Sequence, residues 1–261
     1  MEEQLIKTVV RNGNGGIVWV PKEWINERVI VLRPDIPKLT LNQEIIKVLE
    51  PFLEDVIAVF LYGSYARNEQ EKDSDIDFLV IAKNEFKVSH KKFEIKVITY
   101  DKLIKTIKEN PIMFYPFILE AKPIMNSKLL EELKRIEIDY KKFDWFLETT
   151  KDIININKEI LELDKLEGAY LKSLSVVYSL ILRLKGLFLI NCIKNKEKYY
   201  NKNFKAWLLK TGLNKSELNK IIKIYKLIKN GKISEEKIKI STLETLLNLL
   251  GKGVIKLKNG K

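Results

Sequence analysis

Short alternating and continuous apolar runs occupy the first half of this chain, and a helical period takes over from about Leu129. In residues 1–38 the alternation Thr8-Val9-Val10-Arg11, the turn residues Asn12 to Gly16 and the run Ile17 to Val20 predict a β-hairpin. Pro21 suits the first turn of a short helix, and Arg28 to Leu32 predicts a further strand. Pro34 and Pro37 mark a linker.

In residues 39–128 a helix is expected from Asn42 to Leu49, with Ile45, Ile46 and Leu49 on one stripe, stopped by Pro51. Three strands follow, at Asp55 to Tyr62, Ile76 to Ala82 and Lys92 to Tyr100, the last with Phe93, Ile95 and Val97 on one face. A helix is predicted from Asp101 to Glu109. Pro111, Pro116 and Pro123 then break the chain before a closing strand at Ile124-Met125.

Residues 129–261 repeat apolar positions at three and four. One group runs from Phe143 to Leu161, a second is Leu174, Val177, Leu180, Ile181 and Leu184, and a third runs from Leu218 to Ile228. The expected fold class is therefore α+β: a small mixed sheet that is not doubly wound, an N-terminal β-hairpin arm and a C-terminal antiparallel helical bundle.

Composition narrows the chemistry. The most apolar stretch, Tyr170 to Ile193, contains Lys172, Arg183 and Lys185, so it reads as a buried helix and no membrane partner is expected. Glu2 and Glu3 without a long apolar run do not make a signal peptide. A single cysteine, Cys192, excludes an internal disulfide and fits a reducing, cytoplasmic setting. A single histidine, His90, excludes a histidine cluster and falls in a polar loop.

The formal charge of +12 is concentrated. Lys194 to Lys232 holds twelve lysines against two glutamates, which is either a set of solvated helix faces or a surface for a phosphate-rich or acidic partner. Tyr199, Tyr200, Phe204, Trp207 and Tyr225 lie among these lysines, and rings of that kind stack on exposed bases, with a place in the core as the alternative for Trp207 and Tyr225.

The candidate chemistry lies in Gly63-Ser64, ten residues, then Asp75-Ile76-Asp77. Glycine at the end of a strand admits an anionic oxygen close to the backbone, and serine adds a hydroxyl donor. Asp75 and Asp77 at the start of the next strand share a face roughly 6–7 Å apart, a spacing suited to divalent ions.

This spacing, with the flanking "FLYGSYAR" and "DSDIDFLV", resembles the minimal nucleotidyltransferases of the DNA polymerase β superfamily over about residues 39 to 128. Asn68 departs from the glycine often found after the arginine. The resemblance implies transfer of a nucleoside monophosphate, AMP foremost, from Mg²⁺- (or Mn²⁺-) bound NTP to an acceptor with release of pyrophosphate. Gly63 and Ser64 would bind phosphates, and Asp75 and Asp77 would be the metal ligands. Arg67 is either a further triphosphate contact or an exposed surface arginine, and Asp73 either supports the metal site or caps its loop. The third catalytic carboxylate of many members aligns with Lys96; Glu94, on the same strand face, either replaces it or pairs with Lys96.

"VVRNGNGGIVWVPKEW" resembles the swapped-hairpin DNA-binding domains of the AbrB-like class. That implies a homodimer or DNA contact, against an arm that merely packs. The bundle resembles in layout the HEPN class and the substrate-binding bundle of aminoglycoside nucleotidyltransferases, without the histidine that an RNase-active HEPN motif needs.

Three functions compete. The first is an ATP-using transferase with a protein or RNA acceptor, of the kind found among antitoxin enzymes. The second is a catalytically weak nucleotide-binding regulator acting through its hairpin. The third is a modifier of small molecules, disfavoured for cationic substrates by the basic bundle.

Overall fold

The computed structural model describes residues 5, 7–31, 39–72 and 74–259. It divides into two compact units, Met1–Leu41 and Asn42–Lys261. In the first, β1 (Val10–Asn12) and β2 (Gly15–Ile17) pair antiparallel, with Val10 opposite Ile17 and Asn12 opposite Gly15. The two-residue turn between them starts at Gly13, whose φ of 56° glycine adopts without a Cβ penalty. A single 3₁₀ turn, Lys22–Trp24, follows Pro21. The strand expected at Arg28 to Leu32 is absent from residues 28–31, which pair with nothing in a ladder; Leu32 and the Pro34–Pro37 linker fall outside the described residues.

The second unit begins with α1 (Leu41–Leu49), which buries Ile45 and Leu49 and passes into a 3₁₀ turn carrying Pro51. Strand β3 (Val56–Tyr62) leads to the single helical turn α2 (Gly63–Ala66). Then come β4 (Ile76–Ala82), β5 (Phe93–Thr99), α3 (Tyr100–Glu109), α4 (Pro111–Glu120) and β6 (Lys122–Met125). The sheet order is β5-β4-β3-β6, with β4 and β5 parallel and the other pairs antiparallel. This is the small mixed sheet expected from the run lengths. Phe60 and Phe78 are fully buried in the two central strands, a burial worth about 2 kcal/mol each.

Residues 111–120 correct the sequence expectation: the prolines do not break the chain there. Pro111 occupies the first turn of α4, where a missing N–H costs nothing, and Pro116 sits inside the helix. Burial outweighs the lost hydrogen bond, since Pro111, Tyr115, Pro116, Ile118 and Leu119 are all buried and the Tyr115 hydroxyl donates to the Lys134 carbonyl at 2.7 Å. Pro123 is tolerated because β6 is an edge strand.

The remaining chain is helical, with α5 (Ser127–Lys134), α6 (Asp144–Leu166), α7 (Ser175–Lys194), α8 (Asn201–Leu209), α9 (Lys215–Lys229) and α10 (Ile240–Asn259). A reciprocal cap between Asn214 and Glu217 starts α9, as its Asn-x-x-Glu sequence requires. By length and composition α7 could cross a membrane, but here it packs against α4, α6, α9 and α10 with Val177, Leu180, Leu184, Leu187 and Ile190 buried. One core runs from Phe60 and Leu79 through Tyr115 to Leu180 and Leu250, so it is continuous across the change from sheet to helices near residue 128.

Candidate active site

The chain reverses at the end of β3 because Gly63 takes a φ of 74°. A Cβ there would overlap Oδ2 of Asp77, so glycine is required both by the turn and by the carboxylate beside it. Asp77 lies opposite Tyr62 on one side and beside Glu94 on the other, because β4 and β5 run parallel in that register. Asp75, just before β4, is exposed and close enough to add its negative charge. Burial, with repulsion from Glu94 and Asp75, pushes the Asp77 carboxyl up to about 6, against a smaller opposing pull from Arg67.

Three carboxylates, Asp75, Asp77 and Glu94, crowd one end of the sheet, and Arg67 offsets their charge only in part. Among the described residues no three of them close into a cage around a single point. Mg²⁺ does not need one, since it is held through one or two carboxylates with phosphate oxygens and water completing the shell. The hard oxygen donors Asp75 and Asp77 therefore fit such an ion. Asp73 is outside the described residues.

A second network lies behind Gly63. Its N–H donates to Glu120 Oε1 at 2.8 Å, and Arg67 Nη1 donates to Glu120 Oε2 at 2.7 Å. Arg67 Nε reaches Glu69 at 3.2 Å, and Glu69 accepts the N–H groups of Asn201 and Lys202 at the start of α8. Arg67 is therefore not an exposed surface arginine: its side chain is 12% exposed and bound to two carboxylates. Ser64 is half-buried in α2, and its carbonyl accepts the Glu69 N–H at 2.9 Å. Burial raises the Glu120 carboxyl, with Arg67 and the Gly63 N–H pulling the other way.

Glu94 has no ion pair with Lys96. Lys96 Nζ instead lies 5.5 Å from the centre of the Phe114 ring and 5.9 Å from that of Phe117. Glu94 remains exposed beside Asp77.

The aromatic residues among the lysines of 194–232 also differ from expectation. Tyr199 and Phe204 are buried, and with Phe188 and Trp207 they form an internal ring cluster, so these two are not a surface for stacking bases. Lys223 and Lys226 pair with Glu236 and Glu71.

Sequence reasoning missed Glu120, and it missed that Tyr199 and Lys185 meet it around Arg67. Arg67 lies 5.4 Å and Lys185 5.1 Å from the centre of the Tyr199 ring. The signals were present: Glu120 is the sole charged residue between Pro111 and Ala121, and Lys185 interrupts the most apolar helix. A cavity of about 450 Å³ opens from Arg67 and Glu120 toward the bundle; Asp75 and Asp77 lie outside its lining.

Residues 43–166 match the nucleotidyltransferase domain family. A curated protein of Methanocaldococcus jannaschii, named "Putative protein adenylyltransferase MJ1305", is 28% identical over 127 residues, covering 46% of this chain and 84% of that protein. Among solved structures, spectinomycin adenyltransferase AAD(9) from Enterococcus faecialis with ATP and spectinomycin aligns at TM-score 0.42 and 11% identity, over 81% of this chain and 96% of that one. A nucleotidyltransferase-like protein from Exiguobacterium sibiricum aligns at TM-score 0.39 and 10% identity, over 83% and 75%.

The match over residues 43–166 supports a nucleotidyltransferase domain there. The chain is an enzyme of the nucleotidyltransferase type.

Proposed function

We propose that this enzyme transfers AMP from Mg²⁺- or Mn²⁺-bound ATP to a hydroxyl group of a protein or RNA acceptor in the cytoplasm, releasing pyrophosphate. The observation that carries the reading is the placement of Asp77, set against the Gly63 backbone on one side and in register with Glu94 on the other. Asp75 and Asp77 would hold the divalent ion, which when bound supplies charge neutralisation for the triphosphate. Ser64 binds phosphate oxygens at the turn that Gly63 shapes, the Gly63 N–H itself being held by Glu120, so donor phosphates and metal ligands share one strand end. Glu94 accepts the acceptor hydroxyl's proton. Arg67 orients Glu120 beneath the Gly63 N–H and so keeps the turn in shape.

The description of the M. jannaschii relative as a protein adenylyltransferase supports adenylyl transfer as the reaction. The test is incubation with α-labelled ATP, Mg²⁺ and a cell lysate, followed by separation of protein, RNA and small molecules. Label in protein or RNA that disappears in Asp75→Ala and Asp77→Ala supports the reading; label that survives both substitutions overturns it.

A second reading concerns the arm. None of its described residues is buried, and Trp19, Ile25, Ile30 and Val31 are exposed. A unit this small rarely closes a core alone, so we propose that a second copy of the arm covers these side chains. Sedimentation of the full chain and of a Trp19→Ser/Ile30→Ser variant tests this. A wild-type monomer at micromolar concentration overturns it, as does a dimer that forms only on DNA.

A further inference from the structure

We propose that the cavity between α4 and α7 is the acceptor site and that it takes the terminal nucleotide of an RNA strand; this rests on the nucleotidyl-transfer reading above. The cavity begins at Arg67 and Glu120, the two side chains that hold the Gly63 turn, so a group seated in it lies beside the donor phosphates.

Its walls combine rings with cations. Phe117 comes from α4, Trp145 and Phe146 from the start of α6, and Tyr225 from α9. Gly186 lets the tip of the Phe146 ring press against α7, since a Cβ there would overlap it. Arg183 sits 5.1 Å over the centre of the same ring and donates to the Thr149 and Thr150 hydroxyls at 3.0 and 3.3 Å. Its hydrogen-bond partners are thus neutral, and Asp152 adds a favourable charge without pairing with it. Lys185 likewise forms no ion pair, and its contact is the Tyr199 ring. Burial and the nearby Arg67 and Lys229 charges lower its pKa, against a smaller opposing pull from Glu120, which is itself paired with Arg67.

A cationic acceptor is repelled by this pair, and a neutral one adds nothing to the distant and partial offset from Asp152 and Glu120. A base against the exposed Trp145 ring with its phosphate on Arg183 and Lys185 satisfies both features. Lys229 extends the positive potential along α9, where the preceding nucleotides would run.

In the step this permits, the terminal ribose hydroxyl oxygen bonds to the α-phosphorus of ATP. The bond from that phosphorus to the bridging oxygen breaks, its electron pair leaves with pyrophosphate, and the hydroxyl proton passes to Glu94. The RNA grows by one AMP.

The full chain is incubated with α-labelled ATP, Mg²⁺ and an oligoribonucleotide of about ten residues, in parallel with the same strand blocked by a 3′-phosphate and with free UMP. The open strand should be extended and the blocked strand and UMP should not. Lys185→Gln should raise the KM for the strand about tenfold or more while the KM for ATP moves less than twofold, and Lys185→Arg should restore it. Label on protein, labelling of UMP as readily as RNA, or a Lys185→Gln effect on the KM for ATP instead would each overturn the assignment. Quenching of Trp145 fluorescence by the strand, with Trp145→Phe as control, reads occupancy without turnover. Absence of quenching overturns the acceptor site, whereas failure to bind Mg²⁺·ATP overturns the transferase reading itself.

Discussion

Replacing Asp77 with Asn should make the metal-free protein more stable while removing its activity. The Asp77 carboxyl is pushed up to about 6 from an ordinary 3.8, first by burial and then by Glu94 and Asp75. The folded state thus binds this proton more tightly than the unfolded state. The resulting stabilisation is fully present below about pH 4 and is lost as pH rises through about 6. Two pKa units correspond to about 3 kcal/mol, and because Asp77 is only partly buried, solvent screening reduces this to about 1 kcal/mol. Asn mimics the protonated acid in size and neutrality and so removes the cost. In EDTA at pH 8, Asp77→Asn should be about 1 kcal/mol more stable by urea denaturation, and its Tm about 2–4 °C higher; the difference should vanish near pH 3.5. Millimolar Mg²⁺ should then stabilise the wild type and leave the variant unmoved. Equal stability of the two proteins at pH 8, or a difference of the same size at both pH values, would refute the claim that carboxylate repulsion is stored at this strand end.

Gly63→Ala forces a Cβ into the Asp77 carboxylate at a φ of 74°, so transfer should fall by more than tenfold with a loss of about 1–3 kcal/mol, read by initial rates and chemical denaturation. Glu120→Ala leaves the Arg67 guanidinium without its buried partner and the Gly63 N–H without its acceptor; destabilisation of about 3 kcal/mol is expected in urea, and a loss below about 1 kcal/mol would mean the network relaxes onto Glu69. Glu94→Gln should lower kcat at least tenfold while the KM for ATP stays within twofold, and steady-state kinetics showing an unchanged kcat would remove Glu94 as the proton acceptor.

Features that depend on neighbours in the chain were legible in the sequence. The Gly13 turn, the three main strands, the helix after Asn214 and the Gly63 to Asp77 spacing each follow from local conformational preference or side-chain period. Strand alternation also put Glu94 and Lys96 on one face of β5. The position of Glu94 beside Asp77, however, depends on the parallel register of β4 with β5, which no local pattern encodes. Local preference misled where burial was large: α4 stays helical through Pro116 because its apolar side chains are packed on several sides. The same packing drew Tyr199 and Phe204 inward from a segment whose lysines read as surface.

The residues hardest to foresee are charged groups in apolar surroundings, and they share a physical logic. Glu120 stands alone among apolar neighbours in α4, and Arg183 and Lys185 interrupt the otherwise apolar α7. A charge in such a run costs several kcal/mol unless something compensates it. Glu120 is compensated within the chain by Arg67 and the Gly63 N–H, which makes it a support for the Gly63 turn. Arg183 and Lys185 contact hydroxyls and rings and form no ion pair; Asp152 and Glu120 offset them only from a distance, and Glu120 is already paired with Arg67, so a bound anion would complete their compensation. Replacing both with Met should therefore stabilise the isolated protein, or leave it unchanged, while weakening RNA binding. A loss of stability of more than about 2 kcal/mol would show instead that these charges serve the fold.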